Sequence, residues 1–468
     1  MEKTKLVQLL KTFDSKELRA FGDFVLSPFY NKNREISDLY FFLKKMAIKG
    51  YPEQKLRKSY VSQIILPKEE YDEKRFNHLI SQLLKLAEQF IGLNEFEGEG
   101  VIPEYFILKG YVKKGLEKNY NQILRRAKQK LDRYPHRDAQ YYYQEFLLAN
   151  VQEQFYSTKN IRTFDESLQG ASDALDKYFF SLKLKFLVGM LDRESQLSEK
   201  YQHNFMDEVI NYISEQNFKE VAPIHIYHTL LLTFIDKEQD QYFDQLKYLL
   251  DDIKEKFSQK ETKEIFYGAI NYCVRKIRTG NREYAEQLLK LYEKGLEQEV
   301  LLEDGVLSRF TFKNYVKLGL GLSKFDNVRD FVTNNYKRLP NQFREESLYF
   351  SLADLYYHIK DYDKALIHLN QVDFSDIYYV LGAKVMLLKI YYEKSEVEAL
   401  LSLIQSFRIY LKRNQHLSEN IKNTYLNFAS LINELFKKGK EQSEKLKQSI
   451  QQTTPLTDRS WLLQQLED

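Results

Sequence analysis

Cysteine, proline and tryptophan are all scarce in this chain. A single cysteine, Cys273, among 468 residues excludes an internal disulfide framework and a multi-cysteine metal knuckle, and it is typical of a reducing compartment. The eight prolines stand where helices should begin or end. Between them apolar residues recur at helical spacing, and no alternating strand pattern stands out. These shortages predict an all-α fold.

Long apolar runs are also missing. The uncharged stretch 221–235 contains two histidines and a proline and is too short to span a membrane. The N-terminal sequence MEKTKLVQLLKTFDSKE is charged and amphipathic, and it lacks the apolar core and cleavage site of a signal peptide. The 70 basic and 67 acidic residues nearly balance, which argues neither for nor against nucleic acid. We therefore expect a cytoplasmic protein without membrane contact.

Sequence motifs for catalysis are absent. The chain has no phosphate-binding loop, no HExxH and no GxSxG, and Gly319 and Gly321 follow no strand and lack a third glycine. His225 and His228 could face a metal together, but no second cluster supplies further ligands, so a position at a helix seam is favoured. Cys273 lies on an apolar helical stripe and is expected in the core. The sequence predicts no enzyme, no metal and no cofactor.

The clearest feature present is a repeat between residues 347 and 407. Each copy has two amphipathic helices joined by a polar turn, and three pairs of positions are separated by 34 residues: Ala353 and Leu387, Ala365 and Ala399, Leu369 and Leu403. A period of this length with two helices per copy is the pattern of stacked helix-turn-helix units. The sequence therefore predicts two successive helical hairpins here.

The small residues and the turn of this repeat resemble those of the tetratricopeptide repeat. Ala353 and Ala365 supply small side chains where two helices cross, Tyr356 supplies a bulky wedge, and KDYDKA (360–365) is the most typical turn. In the preceding unit, Gly319 supplies the small residue at the position equivalent to Ala353. The resemblance implies a right-handed α-solenoid of tetratricopeptide-like (TPR-like) repeats whose first helices line a concave groove.

Exposed positions of these first helices are the candidate binding surface. Carried over unit by unit, the protein-binding groove comprises Phe350, Asp354, Tyr357, His358, Lys384, Leu388, Tyr391 and Tyr392, with Val316 and Lys324 upstream. The Lys and Asn arrangement with which some family members clamp a C-terminal carboxylate is absent. Aromatic side chains favour an apolar or amphipathic partner segment. The alternative is that Tyr357 and Tyr391 only pack on neighbouring helices.

Four regions follow from the pattern. They are an N-terminal helical module (1–97), irregular helical repeats (101–300), TPR-like repeats (301–438), and a polar linker with a C-terminal capping helix (439–468). Within the third region, the insertion EVLLEDGVLSRF (299–310) is predicted to lengthen the following helix. The C-terminal helix around Trp461 is predicted to fold over the last repeat, the alternative being an exposed peptide that a partner recognises.

The N-terminal module opens with a predicted capping box, Asp14 with Glu17. Its segment SPFYNKN resembles the start of a family of cytosolic helical proteins with no known activity. Residues 60–90 are similar to two helices of a winged-helix DNA-binding fold, but few bases face outward and the acidic EFEGEG stands where a wing is needed. We favour a helical cap at the end of the array.

One strongly basic stretch stands out against the balanced charge. Residues 113–137 hold nine basic and two acidic side chains. The candidate anion-binding residues of this basic ridge are Lys113, Lys114, Arg125, Arg126, Lys130 and Arg133. They could attract nucleic acid or an acidic partner, or they could form a solvated face balanced by acids elsewhere. The function we expect is a non-catalytic protein-binding scaffold, with a nucleic-acid-associated regulator as the alternative.

Overall fold

The protein is all-α. The computed structural model describes residues 1–67, 70–159, 166–195, 199–216, 218–236, 240–371, 376–438 and 443–467. Within these ranges the only strands are Leu302–Glu303 (β1) and Val306–Leu307 (β2), a short antiparallel hairpin. The all-α class predicted from the sequence is confirmed. Part of the predicted polar linker, residues 439–442, lies outside the described residues.

The chain divides into two compact units. The first comprises Met1–Gly189 and Gln202–His228, and the second comprises Met190–Tyr201 and Thr229–Asp468. In chain order the first eleven helices are α1 Lys5–Leu10, α2 Ser15–Leu26, α3 Arg34–Ala47, α4 Lys58–Ile65, α5 Glu73–Gly98, α6 Ile102–Lys114, α7 Glu117–Asp132, α8 Ala139–Ser157, α9 Glu166–Glu194, α10 Met206–Glu215 and α11 Ala222–Ile235. The later ones are α12 Gln241–Leu249, α13 Ile253–Lys256, α14 Gln259–Arg278, α15 Tyr284–Glu297, α16 Arg309–Gly321, α17 Phe325–Asn335, α18 Arg344–His358, α19 Tyr362–Leu369, α20 Ile377–Glu393, α21 Val397–Arg413, α22 Glu419–Lys438, α23 Ser443–Gln452 and α24 Arg459–Glu467.

The first five helices enclose an apolar core of their own. Phe21, Tyr40 and Phe76 are completely buried in it. The predicted capping box is confirmed, because the Asp14 carboxylate accepts the amide proton of Glu17 at 2.8 Å and the Glu17 carboxylate accepts that of Asp14 at 2.7 Å. No strand occurs in the described residues from 1 to 98, so a winged-helix domain finds no support there.

The insertion before α16 does not lengthen that helix, which corrects the prediction for residues 299–310. Asp304 and Gly305 both have positive φ angles, 50° and 76°, and connect β1 to β2. An Asp-Gly pair with this backbone forms the tight turn that suits a two-residue hairpin loop. The helix begins only at Arg309, after Ser308 has capped its N-terminus. The Asp-Gly pair is the sequence signal that indicates the hairpin.

Three helical hairpins follow one another in the second unit: α16 with α17, α18 with α19, and α20 with α21. The last two are the hairpins that the repeat between residues 347 and 407 predicts. In each case a residue in the left-handed region follows two positions after the end of the first helix, namely Ser323, Lys360 and Ser395 with φ angles of 56°, 62° and 58°. Such a residue closes a helix C-terminus and reverses the chain direction.

These left-handed turn residues correct the predicted 34-residue register. Ser323 and Lys360 lie 37 residues apart (360 − 323), and Lys360 and Ser395 lie 35 apart (395 − 360). Burial follows the structural spacing, since Leu400, 35 residues after the buried Ala365, is itself fully buried, whereas Ala399 is only partly buried. The 34-residue spacing predicted from the sequence is therefore one residue too short between the last two hairpins.

Candidate functional site

A trough is formed by the first helices of the three hairpins, α16, α18 and α20. It encloses a cavity of about 640 Å³. One end is bounded by Tyr425 of α22 and by residues of the C-terminal segment from Thr457 to Gln465. All of these residues belong to the second unit. We call this surface the trough.

Half of the predicted groove residues line the trough. Phe350, Asp354, Tyr357 and His358, all on α18, face the cavity together. The predicted α20 residues do not line it: Leu388 is fully buried, Tyr391 and Tyr392 pack against the neighbouring core, and the Lys384 ammonium lies 5.4 Å from the centre of the Tyr410 ring. These four side chains lie away from the cavity because a one-residue change of register rotates a helix by about 100°.

The α20 side chains that do face the cavity fit the register set by the turns. Val385, Lys389 and Glu393 lie 35 residues after Phe350, Asp354 and His358, the same offset as between the turn residues. On α16 the matching offset is 37 residues, and it gives Lys313, Lys317, Leu320 and Gly321, all of which line the cavity. Alignment of the turns GLSKF, HIKDY and EKSEV would have found these residues from the sequence.

The two predicted upstream residues lie elsewhere. Val316 is 3% exposed and belongs to the core. The Lys324 ammonium lies outside the trough, 3.9 Å from the Glu286 carboxylate. Both were placed by the 34-residue spacing, which does not hold between α16 and α18.

Glu393 organises the polar contacts at one end of the trough. Its Oε1 atom accepts hydrogen bonds from the Tyr357 hydroxyl at 2.5 Å and from the Trp461 indole at 2.7 Å. Its Oε2 atom accepts one from the Tyr362 hydroxyl. Burial and the Glu393 carboxylate together raise the pKa of Tyr357 well above its usual value, so the phenol stays a neutral donor.

A second contact at this end joins the C-terminal segment to α20. The Lys389 ammonium forms an ion pair with the Asp458 carboxylate. The same ammonium lies 5.6 Å from the centre of the Tyr357 ring and 5.7 Å from that of Trp461. Cations within about 6 Å of an aromatic face are attracted to it. Lys389 thus holds both an acid and an aromatic residue of the segment.

The C-terminal helix α24 packs on the preceding helices. Trp461 is 9% exposed and Leu462 is fully buried in one core with Phe428 and other residues of α20 to α23. Arg459 donates hydrogen bonds to the backbone carbonyl oxygens of Gln451 and Thr453. The helix is therefore seated against the last helices rather than held away from them, which is the arrangement expected of a cap.

The acidic and basic side chains that line the trough differ in whether they have a partner. The Asp354 carboxylate contacts the His358 ring at 3.3 Å, so each of the three lining carboxylates has a partner. Among the lining lysines, Lys313, Lys317 and Lys360 form no ion pair with any residue in the described ranges. Burial, and next the charge of Lys317, lowers the pKa of Lys313. Among its described lining residues, the trough therefore has basic side chains without an ion pair but no acidic side chain without a partner.

The basic ridge lies on α6, α7 and the loop after them. All six predicted ridge residues are exposed. Glu104, whose side chain is 6% exposed, neutralises part of the ridge because it lies 3.1 Å from the Lys130 ammonium and 3.8 Å from the Arg126 guanidinium. Lys118, Arg125 and Arg126 line a shallow depression on α7. Lys113, Lys114 and Arg133 do not line that depression.

The histidines and the cysteine considered in the sequence lie on helices. His225 and His228 are on α11, and burial lowers the pKa of His228. No cluster of three or more potential metal-ligating side chains occurs among the residues that the structure covers. Cys273 on α14 is fully buried, and burial raises the pKa of its thiol to about 12, so the thiolate is strongly disfavoured at neutral pH.

Comparison with known proteins adds no assignment. No protein-family model matches the chain, and no curated protein matches it significantly. None of the described helices combines the length and the apolar character needed to cross a membrane.

Proposed function

We propose that the protein is a non-catalytic scaffold of TPR-like repeats, stacked as a right-handed solenoid, that binds a peptide or helix of another protein in the trough. The observation that carries the proposal is the seating of the chain's own C-terminal segment at one end of the trough. There a segment with an acid, Asp458, and an aromatic residue, Trp461, is held by Lys389 and Glu393 of α20. The same kind of contact is available to a segment from a partner.

The composition of the trough supports protein binding rather than catalysis. Its carboxylates are engaged by His358, by Lys389 or by the three donors on Glu393. Its aromatic residues include Phe350 and Tyr378, the latter 56% exposed. Exposed aromatic side chains in a concave surface are typical anchors of protein interfaces.

A cytoplasmic nucleic-acid regulator that uses the basic ridge is the alternative. The ion pairs of Glu104 with Lys130 and Arg126 reduce the charge available to phosphates. Counterion release makes phosphate binding fall steeply with salt, whereas binding through aromatic anchors survives moderate salt. The two functions therefore differ most clearly in the residues they require, which lie in the trough for the first and on the basic ridge for the second.

The test measures how much partner protein each variant captures from a lysate of the source cells. One variant adds a large side chain inside the trough, and the other removes an aromatic side chain from it. In Gly321→Tyr a large side chain enters the cavity, where a Cβ atom on this residue would meet no other atom within 4 Å. Tyr378→Ala removes an exposed aromatic anchor. We expect both variants to lose about tenfold or more of the captured partner, the usual effect of losing an interface anchor.

Matched controls carry the same chemical changes outside the trough. Gly92→Tyr adds a side chain at an equally open helical position of the first unit, and Tyr248→Ala removes a tyrosine that is 77% exposed. Both should capture partner like the unchanged protein. Equal capture by trough variants and controls would contradict the proposal, and loss confined to Arg125→Gln with Arg126→Gln would favour the nucleic-acid alternative.

A further inference from the structure

We propose that the free part of the trough binds an acidic segment of a partner protein, whose internal Asp or Glu side chains pair with Lys313 and Lys317. This inference rests on the proposed function and adds the chemistry of the partner. The acidic and basic side chains that line the cavity differ in their pairing. The lining carboxylates are all engaged, whereas Lys313, Lys317 and Lys360 form no ion pair in the described part of the chain. The carboxylates of Asp376 and Asp354 act on Lys313 only from a distance.

The position of Lys317 is equivalent to that of Lys389. Each lies six residues before the left-handed turn residue of its hairpin, Ser323 and Ser395 respectively. In the α20 hairpin this position already holds a carboxylate, that of Asp458 in the chain's own C-terminal segment. In the α16 hairpin the same position faces the same cavity, but Lys317 forms no ion pair with a carboxylate of the described residues. The bound Asp458 therefore shows which group the free position can accept.

Lys313 strengthens the case because it lies one helical turn before Lys317 on the same side of α16. Two ammonium groups so placed repel each other, and Lys313 is partly buried. A carboxylate between them would relieve both the repulsion and the lost hydration. Because these two lysines form no ion pair, they favour a ligand with negative charge over an apolar one.

The α18 hairpin, the second of the three, places an acid at the equivalent position, and this limits where the ligand charge can lie. Asp354 stands between Lys317 and Lys389 in the row of equivalent residues, but the His358 ring contacts it at 3.3 Å. Phe350 lies against α20, where Gly382 leaves room for its ring: a Cβ atom there would lie 2.9 Å from Phe350 Cζ. We therefore expect the acids of the ligand over α16 and an apolar side chain over Phe350 and Tyr378.

The test uses the full chain and an array of random peptides with both termini blocked, so that only side chains supply charge. We expect the captured peptides to be enriched in Asp and Glu compared with the array as a whole. The double variant Lys313→Gln, Lys317→Gln should bind them about tenfold more weakly, the effect of losing two half-exposed ion pairs. The matched control Lys260→Gln, Lys290→Gln removes two exposed lysines elsewhere on the second unit and should bind normally.

The outcomes separate this inference from the proposed function. Peptides that are not acidic, yet are lost by Gly321→Tyr, would overturn the inference and leave the trough as a binding site. Capture of no peptide in a trough-dependent way would contradict both. Companion arrays with free C-terminal carboxylates or with phosphoserine test other anions, and preference for either would overturn the assignment to internal acids. Unchanged emission of Trp461 verifies that the lysine variants are folded.

Discussion

Replacing Glu393 with alanine is expected to lower the free energy of unfolding of the second unit by about 3–4 kcal/mol. The substitution removes one acceptor from three donors, namely Tyr357, Tyr362 and Trp461. A buried donor left without a partner costs about 1–3 kcal/mol, and hydrogen bonds to a charged acceptor are the stronger ones. Urea unfolding followed by Trp461 emission, which comes from the chain's single tryptophan, and by helical circular dichroism measures the change.

Two further variants make this prediction specific. Glu393→Gln keeps the size of the side chain, but its amide group adds donors among three existing donors, so we expect an intermediate loss. Glu398→Gln changes an exposed glutamate on the next helix and should leave the unfolding transition within about 0.5 kcal/mol. A loss below about 1 kcal/mol for Glu393→Ala would show that the three hydrogen bonds do not hold the C-terminal segment in place.

Two glycines of α16 should respond to alanine with opposite signs. At Gly319 a Cβ atom would lie 2.4 Å from Val328 Cγ2, and Val328 is fully buried. Alanine normally stabilises a helix interior by about 0.5–1 kcal/mol over glycine, whereas overpacking a well-filled core costs about 1–3 kcal/mol. We expect overpacking to dominate, so Gly319→Ala should destabilise the unit by about 1–2 kcal/mol.

Gly321 is the matched control, two residues further along the same helix. No atom lies within 4 Å of a Cβ atom built there, so only the helix preference remains. Gly321→Ala should therefore stabilise the unit by about 0.5 kcal/mol. Thermal unfolding of both variants under the same conditions measures the pair. Stabilisation by both substitutions would contradict the close crossing of α16 and α17 at Gly319.

Local sequence signals predicted much of the fold but not its register. The Asp14 capping box and the helices on either side of Asp361 depend on residues close in sequence, and both are present. The register is the number of residues between equivalent positions of successive hairpins. The alanines Ala365 and Ala399 predicted a spacing of 34 residues. The turn residues Lys360 and Ser395 give 35. The turn residue determines which side chains of the neighbouring helices face the core, whereas a partly buried alanine does not.

The four predicted groove residues on α18 line the trough, whereas the contacts between distant segments at its end were not predicted. These α18 residues were carried over from the resemblance to the tetratricopeptide repeat. Glu393 accepts from Trp461, 68 residues later in the chain, and Lys389 pairs with Asp458, 69 residues later. The partial neutralisation of the basic ridge depends in the same way on Glu104, 26 residues before Lys130. Pairings between residues so far apart leave no periodic pattern in a single sequence.

The central claim, that partners bind in the trough, is tested most directly by site-specific photo-crosslinking. A photoreactive phenylalanine derivative replaces Tyr378 inside the trough or, in a separate variant, the exposed Tyr248 outside it. We predict a discrete crosslinked partner from position 378, with the crosslink mapping next to acidic residues of that partner, and none from position 248. Crosslinks of equal yield from both positions, or from position 248 alone, would contradict the claim.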